Sequence, residues 1–174
     1  MKNIFAIFFF MLTFSAFSQT SISVAITFPS IALVDIAPDN TAFNLSLVAP
    51  TEAGNAVTIN PTNSTKWINF SSAVGVGITR KITAQISGTL PVGLNLKLAV
   101  SNYAGAGAGV LGASSGTLNL SGTPQNIINN IGGAFTGNGI NNGYNLSYSL
   151  EVLDYSLLRS QTSTFSIIFT LSDN

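Results

Sequence analysis

Three groups of residues have the types and spacing of a site that does chemistry. Gly107-Ala-Gly109-Val-Leu-Gly112 has the G-x-G-x-x-G spacing of a dinucleotide-binding turn. Such a turn holds a pyrophosphate only where a helix begins at the last glycines and aims its backbone N–H groups at the anion. The chain continues instead through Ser114-Ser115-Gly116. No Asp or Glu follows about 20 residues later to hold a ribose. Gly112-Ala-Ser114-Ser-Gly116 has the spacing of a nucleophile elbow, but the elbow's serine needs a histidine to take its proton. The 174 residues contain no histidine, and no Ser-x-x-Lys replaces it. The third group is the carboxylates: Asp35, Asp39, Glu52, Glu151, Asp154 and Asp173. Asp35 with Asp39, or Glu151 with Asp154, are close enough in sequence for a glycosidase pair, which sets two carboxyls roughly 5–9.5 Å apart. Asp39-Asn40 and Asp154-Tyr155 read better as turns in which Asp caps its own backbone. Asp35, Asp39 and Asn40 offer oxygen ligands of the kind calcium takes, without EF-hand spacing. The chain therefore reads as a non-enzyme with no cofactor, no metal and no nucleotide.

Aromatic residues are the remaining candidates. Trp67, the only tryptophan, Tyr103 beside the glycine-rich loop, and Tyr155 are the residues on which a glycan ring could stack. Trp67 stands on one side of its strand, with Ile68 and Phe70 on the other; packing is the simpler role for such a bulky residue.

The elements that position these residues are strands. Alternation of apolar and polar residues marks Ile22–Phe28, Phe43–Leu47, Ile82–Ile86, Leu94–Val100, Tyr144–Val152 and Phe165–Leu171. Ile31–Ile36, Val57–Asn60, Trp67–Phe70 and Thr117–Leu120 are weaker strands. A period of two gives one buried and one wet face, as in antiparallel sheets. Short strands between Gly, Pro and Asn turns predict an all-β fold, an antiparallel immunoglobulin-like sandwich. One short helix is expected over Thr123–Gly132. Thr123 would cap it, Pro124 would take its first position, and Ile127, Ile128 and Ile131 would share one face. Two glycine-rich loops, 104–116 and 132–143, connect strands.

Met1–Ser18 reads as a secretory signal peptide, with Lys2, an apolar run Ile4–Phe14 and small residues at Ala16 and Ser18. The apolar run is shorter than the roughly 20 residues a membrane span needs. Residues 19–174 then form one sandwich domain, long enough to build a core without disulfides. The chain has no cysteine, so no lipid attaches at the cleavage site. Without Lys2, five basic residues face six acidic ones, a net charge of −1. Such sparse charge excludes a basic patch for nucleic acid.

Lys81-Ile82-Thr83-Ala84-Gln85-Ile86-Ser87 resembles the first W-x-x-x-A-x-L strand of WxL-type cell-surface sandwich domains. Phe165-Ser-Ile-Ile-Phe169-Thr170-Leu171-Ser172-Asp173 resembles their closing W-T-L-T-D strand. Spore-coat-U-like and fimbrial-type subunits end on a similar strand, and Gly143–Leu150 is similar to small exported proteins of Gram-negative bacteria. The resemblance covers residues 80–173 and implies a sandwich at the cell surface. Lys81 and Phe169 stand where the family has tryptophans, so its peptidoglycan binding is not carried over.

The expected function is a non-catalytic, exported envelope or surface protein, structural or adhesive, of the kind that assembles as a fimbrial-like subunit. Ile22, Val24, Ile26 and Phe28 are its candidate assembly strand, by pairing with a sheet edge on a neighbour. The simpler expectation is that this strand pairs within its own domain. Partners would be further copies, other envelope proteins or glycans. The alternatives are a carbohydrate-binding module using Trp67, Tyr103 and Tyr155, and an outer-membrane β-barrel.

Overall fold

A computed structural model describes residues 18–60 and 62–174. The expected signal peptide, apart from Ser18, lies outside the described residues. Thirteen strands follow one another: β1 (Ile31–Ala37), β2 (Leu47–Val48), β3 (Thr58–Ile59), β4 (Asn63–Ala73), β5 (Arg80–Ser87), β6 (Leu94–Val100), β7 (Ala108–Gly109), β8 (Ala113–Ser114), β9 (Thr117–Leu120), β10 (Gln125–Ile131), β11 (Ala134–Phe135), β12 (Tyr144–Val152) and β13 (Ser166–Asp173). All pairings are antiparallel. The first sheet runs β7-β11-β4-β12-β6-β9, and β1 joins it as an edge beside β4. The second runs β13-β5-β10-β8, while β2 and β3 form a separate ribbon.

The alternation read from sequence sets which side chains meet. Val34 and Ile36 of β1 stand opposite Phe70 and Ile68 of β4. Leu146, Tyr148 and Leu150 of β12 stand opposite Val100, Leu98 and Leu96 of β6. In the second sheet Ile82, Ala84 and Ile86 stand opposite Leu171, Phe169 and Ile167. These rows face each other and enclose one core. This is the expected all-β sandwich. Apolar residues fill the space between two open sheets, the reverse of an outer-membrane barrel, where one closed sheet turns its apolar side outward.

The helix expected over Thr123–Gly132 does not form. Residues 125–131 are strand β10, and the only helical turn among the described residues is the 3-10 turn Tyr155–Leu157. The isoleucine spacing arises from two register shifts against β5. One lies between Asn126 and Ile128 and the other between Ile128 and Ile131. Each bulge adds a residue to β10 and rotates its side chains relative to the neighbour. Ile127, Ile128 and Ile131 thus all become buried, although a regular strand would turn Ile127 and Ile128 to opposite faces. Asn130 takes the second bulge in the left-handed region, with φ of 60°. β-branched isoleucine favours the strand once sheet neighbours exist.

The strand expected over Ile22–Phe28 also does not form within the domain. Residues 18–30 lie in no strand or helix, and every one is exposed. Phe43–Leu47 contributes only Leu47 to a strand, while Phe43 packs its ring 4.7 Å from that of Tyr148.

Candidate functional site

Each motif that resembled chemistry is held by the fold in another role. A Cβ on Gly107 would collide with the Phe135 carbonyl, and one on Gly109 with the Gly133 carbonyl. These glycines let β7 lie against β11, a close backbone approach that any side chain would block. The Ser114 hydroxyl donates to the Val100 carbonyl at 2.7 Å and accepts from the Gly116 N–H at 3.0 Å. It sits on β8, paired with β10, with no turn into a helix.

Asp39, Glu151 and Asp154 are each held by a different partner. Asp35 lies on the outward side of β1. Asp39 turns to the inward-facing Lys66, whose ammonium donates to Asp39 Oδ1 at 2.7 Å, to the Asp39 carbonyl at 2.9 Å and to the Thr41 hydroxyl at 3.4 Å. Hydrogen bonds from Lys66 and then Thr41 hold the Asp39 carboxyl down at about 2. Glu151 accepts from Lys97 at 2.7 Å and Asn95 at 3.2 Å, which lower its pKa. Asp154 caps the 3-10 turn through the N–H and hydroxyl of Ser156, and those bonds lower its pKa too. A glycosidase acid needs the opposite shift, upward. Among the described residues no three carboxylates gather as a metal site.

The three aromatic candidates stand apart as well. Trp67 is half-buried on the outward side of β4, between Ala37 of β1 and Asn145 of β12. Tyr103 is half-buried and fully used. Its hydroxyl accepts from the Gly107 N–H and donates to the Thr136 carbonyl, and its ring meets Tyr144 edge-on at 5.8 Å. Tyr155 is exposed beyond the far end of β12, where its hydroxyl accepts from the Val57 N–H at 2.6 Å. Tyr103 follows β6 and Tyr155 follows β12; these strands are antiparallel, so the two tyrosines mark opposite ends of the sheet.

The candidate assembly strand is the feature the fold leaves unused. Ile22, Val24, Ile26 and Phe28 are between 77% and 89% exposed. Soluble proteins rarely leave such a series uncovered. The segment from Gln19 to Val34 carries no charge. Its root is fixed: Ser30 Oγ donates to the Ala73 carbonyl at 3.3 Å and accepts from Arg80 Nη2 at 2.9 Å. Arg80 is a group the sequence reading missed. It is buried at the start of β5, bonds Asp173 at the end of β13 through Nε at 2.8 Å, and reaches the Ile31 carbonyl and Ser72 Oγ through Nη1. One guanidinium thus ties both sheets to the root of the exposed segment. Its parity with Ile82, Ala84 and Ile86 was the available signal, as was that of Lys66 with Ile68 and Phe70.

On the outward side of the first sheet, Leu33, Ser71 and Phe135 form a row across β1, β4 and β11. Leu33 and Phe135 are exposed there. They border a shallow depression of about 310 Å³ that also includes Asp35, Asn69 and Asn138. A neighbouring groove of about 470 Å³ is lined by Phe28, Ile31, Ala73, Ala108, Ala134 and Phe135. The Asn69 side chain accepts from the Gly139 N–H and donates to the Asn142 carbonyl, and Asn142 Oδ1 accepts from the Ala106 N–H. These amides lash the two glycine-rich loops together at this end.

Comparison with protein-family models, curated proteins and solved structures finds no match to this chain.

Proposed function

We propose that this is a non-catalytic, exported envelope or surface protein that serves as a structural, assembling subunit. The observation that carries the reading is the uncharged segment 19–30, alternating over 22–28, exposed at every position and anchored to the sandwich at Ser30. Its neighbour would be another envelope component or a further copy. Burying Ile, Val, Ile and Phe side chains is worth about 1.5–3 kcal/mol each, or about 6–12 kcal/mol in gross. Association costs about 4–15 kcal/mol in lost freedom, so main-chain pairing must add to side-chain burial. The export pattern of residues 1–18 and the resemblance to surface sandwich domains support the location.

The test compares the mature chain with one lacking residues 19–28 by sedimentation velocity over a range of concentrations. The reading expects the mature chain to self-associate or to capture envelope components, and the truncated chain to stay monomeric with unchanged Trp67 emission. Equal behaviour of the two chains in solution and in envelope extracts would contradict it.

A further inference from the structure

We infer that the outer edge of β13 in a second copy of this chain is the docking site of residues 22–28, so that copies join head to tail. This deepens the proposed function and rests on it.

β13 and β1 are the edge strands on one flank of the sandwich, near each other but in different sheets. β13 is paired along all eight of its residues with β5, and no strand among the described residues pairs with its other edge, although β1 lies near it. Exposed edges are usually blunted by shortness, charge or proline. The edges at the opposite flank follow that rule: β9 has four residues and β8 has two. β13 does not. From Ser166 to Ser172 it has neither charge nor proline.

The core is also unsealed beside it. Ile82 and Ala84 on β5 are fully buried, whereas the facing Phe169 and Leu171 on β13, and Ile167, are only half-buried. Val34 and Ile36 on β1 are half-buried too, although their neighbours Phe70 and Ile68 are covered. An added strand bringing apolar side chains at every second position would cover this flank. Ile22, Val24, Ile26 and Phe28 supply that spacing over seven residues against an edge of eight. Residues 22–28 and 166–172 carry no charge, and the Asp173 carboxylate at the end of the edge is already paired with Arg80, so bringing the segments together strands no buried ion.

Geometry directs the segment to another copy. Arg80 joins Asp173, the last residue of β13, to Ile31, the first of β1. The chain before Ile31 therefore leads off beyond the end of β13. Ser30 is anchored to Ala73, and the exposed Phe28 borders the groove formed with β4, β7 and β11, on the sheet that β13 does not belong to. Pro29 lacks the N–H that would continue a ladder out of β1. A donor at one end and an acceptor along the flank make a heterologous contact, which builds open chains rather than closed dimers.

The native chain has no cysteine, so single thiols are unambiguous reporters. Mature chains bearing Ser23→Cys, Ala25→Cys or Thr27→Cys are mixed with mature chains of distinct mass bearing Ile168→Cys or Thr170→Cys on β13, or Asn119→Cys on β9. Mild oxidation follows, with Trp67 emission verifying the fold of each variant. The expected result is mixed-mass disulfide dimers with the β13 thiols, strongest for one register and at least tenfold over Asn119→Cys. Equal or preferred linkage to β9, or none in solutions where the mature chain self-associates, overturns the β13 assignment. The broader subunit reading survives that outcome if deletion of residues 19–28 still abolishes association. A mature chain that neither associates, nor cross-links, nor differs from the truncated chain in envelope extracts overturns both.

Discussion

Replacing Arg80 should loosen the point at which both sheets and the exposed segment meet. Its guanidinium bonds Asp173, Ser30, Ser72 and the Ile31 carbonyl from a buried position. Asp173 is 65% exposed, so water takes up its charge when Arg80 is lost, and that pair contributes less than about 1 kcal/mol. The inward bonds to Ile31 and Ser72 and the buried stem carry the larger share. Arg80→Ala loses both, and about 3 kcal/mol is expected from the lost bonds and packing together. Arg80→Lys keeps the charge but replaces a five-donor fork by one ammonium, for a loss of about 1.5 kcal/mol. In urea, with a slope of about 2 kcal/mol/M, the alanine variant should lower the midpoint by about 1.5 M. Trp67 is the only tryptophan and half-buried, so its emission follows unfolding directly. Asp173→Asn should shift the midpoint by less than a third as much. A midpoint for Arg80→Ala within about 0.3 M of the native chain would refute the reasoning, as would an equal loss in Asp173→Asn.

Stability should be level from about pH 5 to about pH 9, because the chain has no histidine or cysteine to titrate there. Asp39, Glu151 and Asp154 have folded pKa values below their unfolded ones. Their contribution is present above about pH 4.5 and is lost as pH falls toward about 2. Burial pushes the Tyr144 hydroxyl up to about 12 and raises that of Tyr148 as well. The unfolded chain ionises first, so stability falls again above about pH 10; thermal melts against pH measure both limbs, and a step near pH 6–7 would contradict them. Thr136→Val should cost about 1–3 kcal/mol in urea unfolding, since the Thr136 hydroxyl accepts from the buried Phe70 N–H at 3.0 Å and donates its one proton to the Gly137 carbonyl at 2.8 Å. A loss under about 0.5 kcal/mol would show that the bond matters little. Asn130→Gly should be neutral or stabilising and Asn130→Ala should cost about 1 kcal/mol, given its φ of 60°; the reverse order in thermal melts would contradict the bulge.

Most of the sandwich is legible in alternation because one buried face imposes a period of two on β5, β6, β12 and β13; β1, apolar at most positions, reads only as a weaker strand. β10 is not, because two bulges shift its register and place Ile127, Ile128 and Ile131 at helical spacing. β7, β8 and β11 have two residues each, too few to show any period, and depend on each other and on β4 and β10 for pairing. The candidate assembly segment shows plainly in the residues, but alternation encodes faces and not neighbours. Whether Ile22–Phe28 finds an edge at home depends on where Ser30 is anchored, and that anchor involves Arg80 and Ala73, far along the chain. The carboxylates are similar. Asp39 looks like a turn residue, but its bond to Lys66 spans 27 positions and follows from the sheet.

The central claim is that residues 22–28, bare in the single copy, become a strand between copies. Amide hydrogen exchange on the mature chain, at dilute and at associating concentrations, tests it most directly. The account predicts that residues 22–28 exchange freely when dilute and gain at least tenfold protection on association, together with residues 166–173. Association with no gain of protection in residues 22–28 would contradict it.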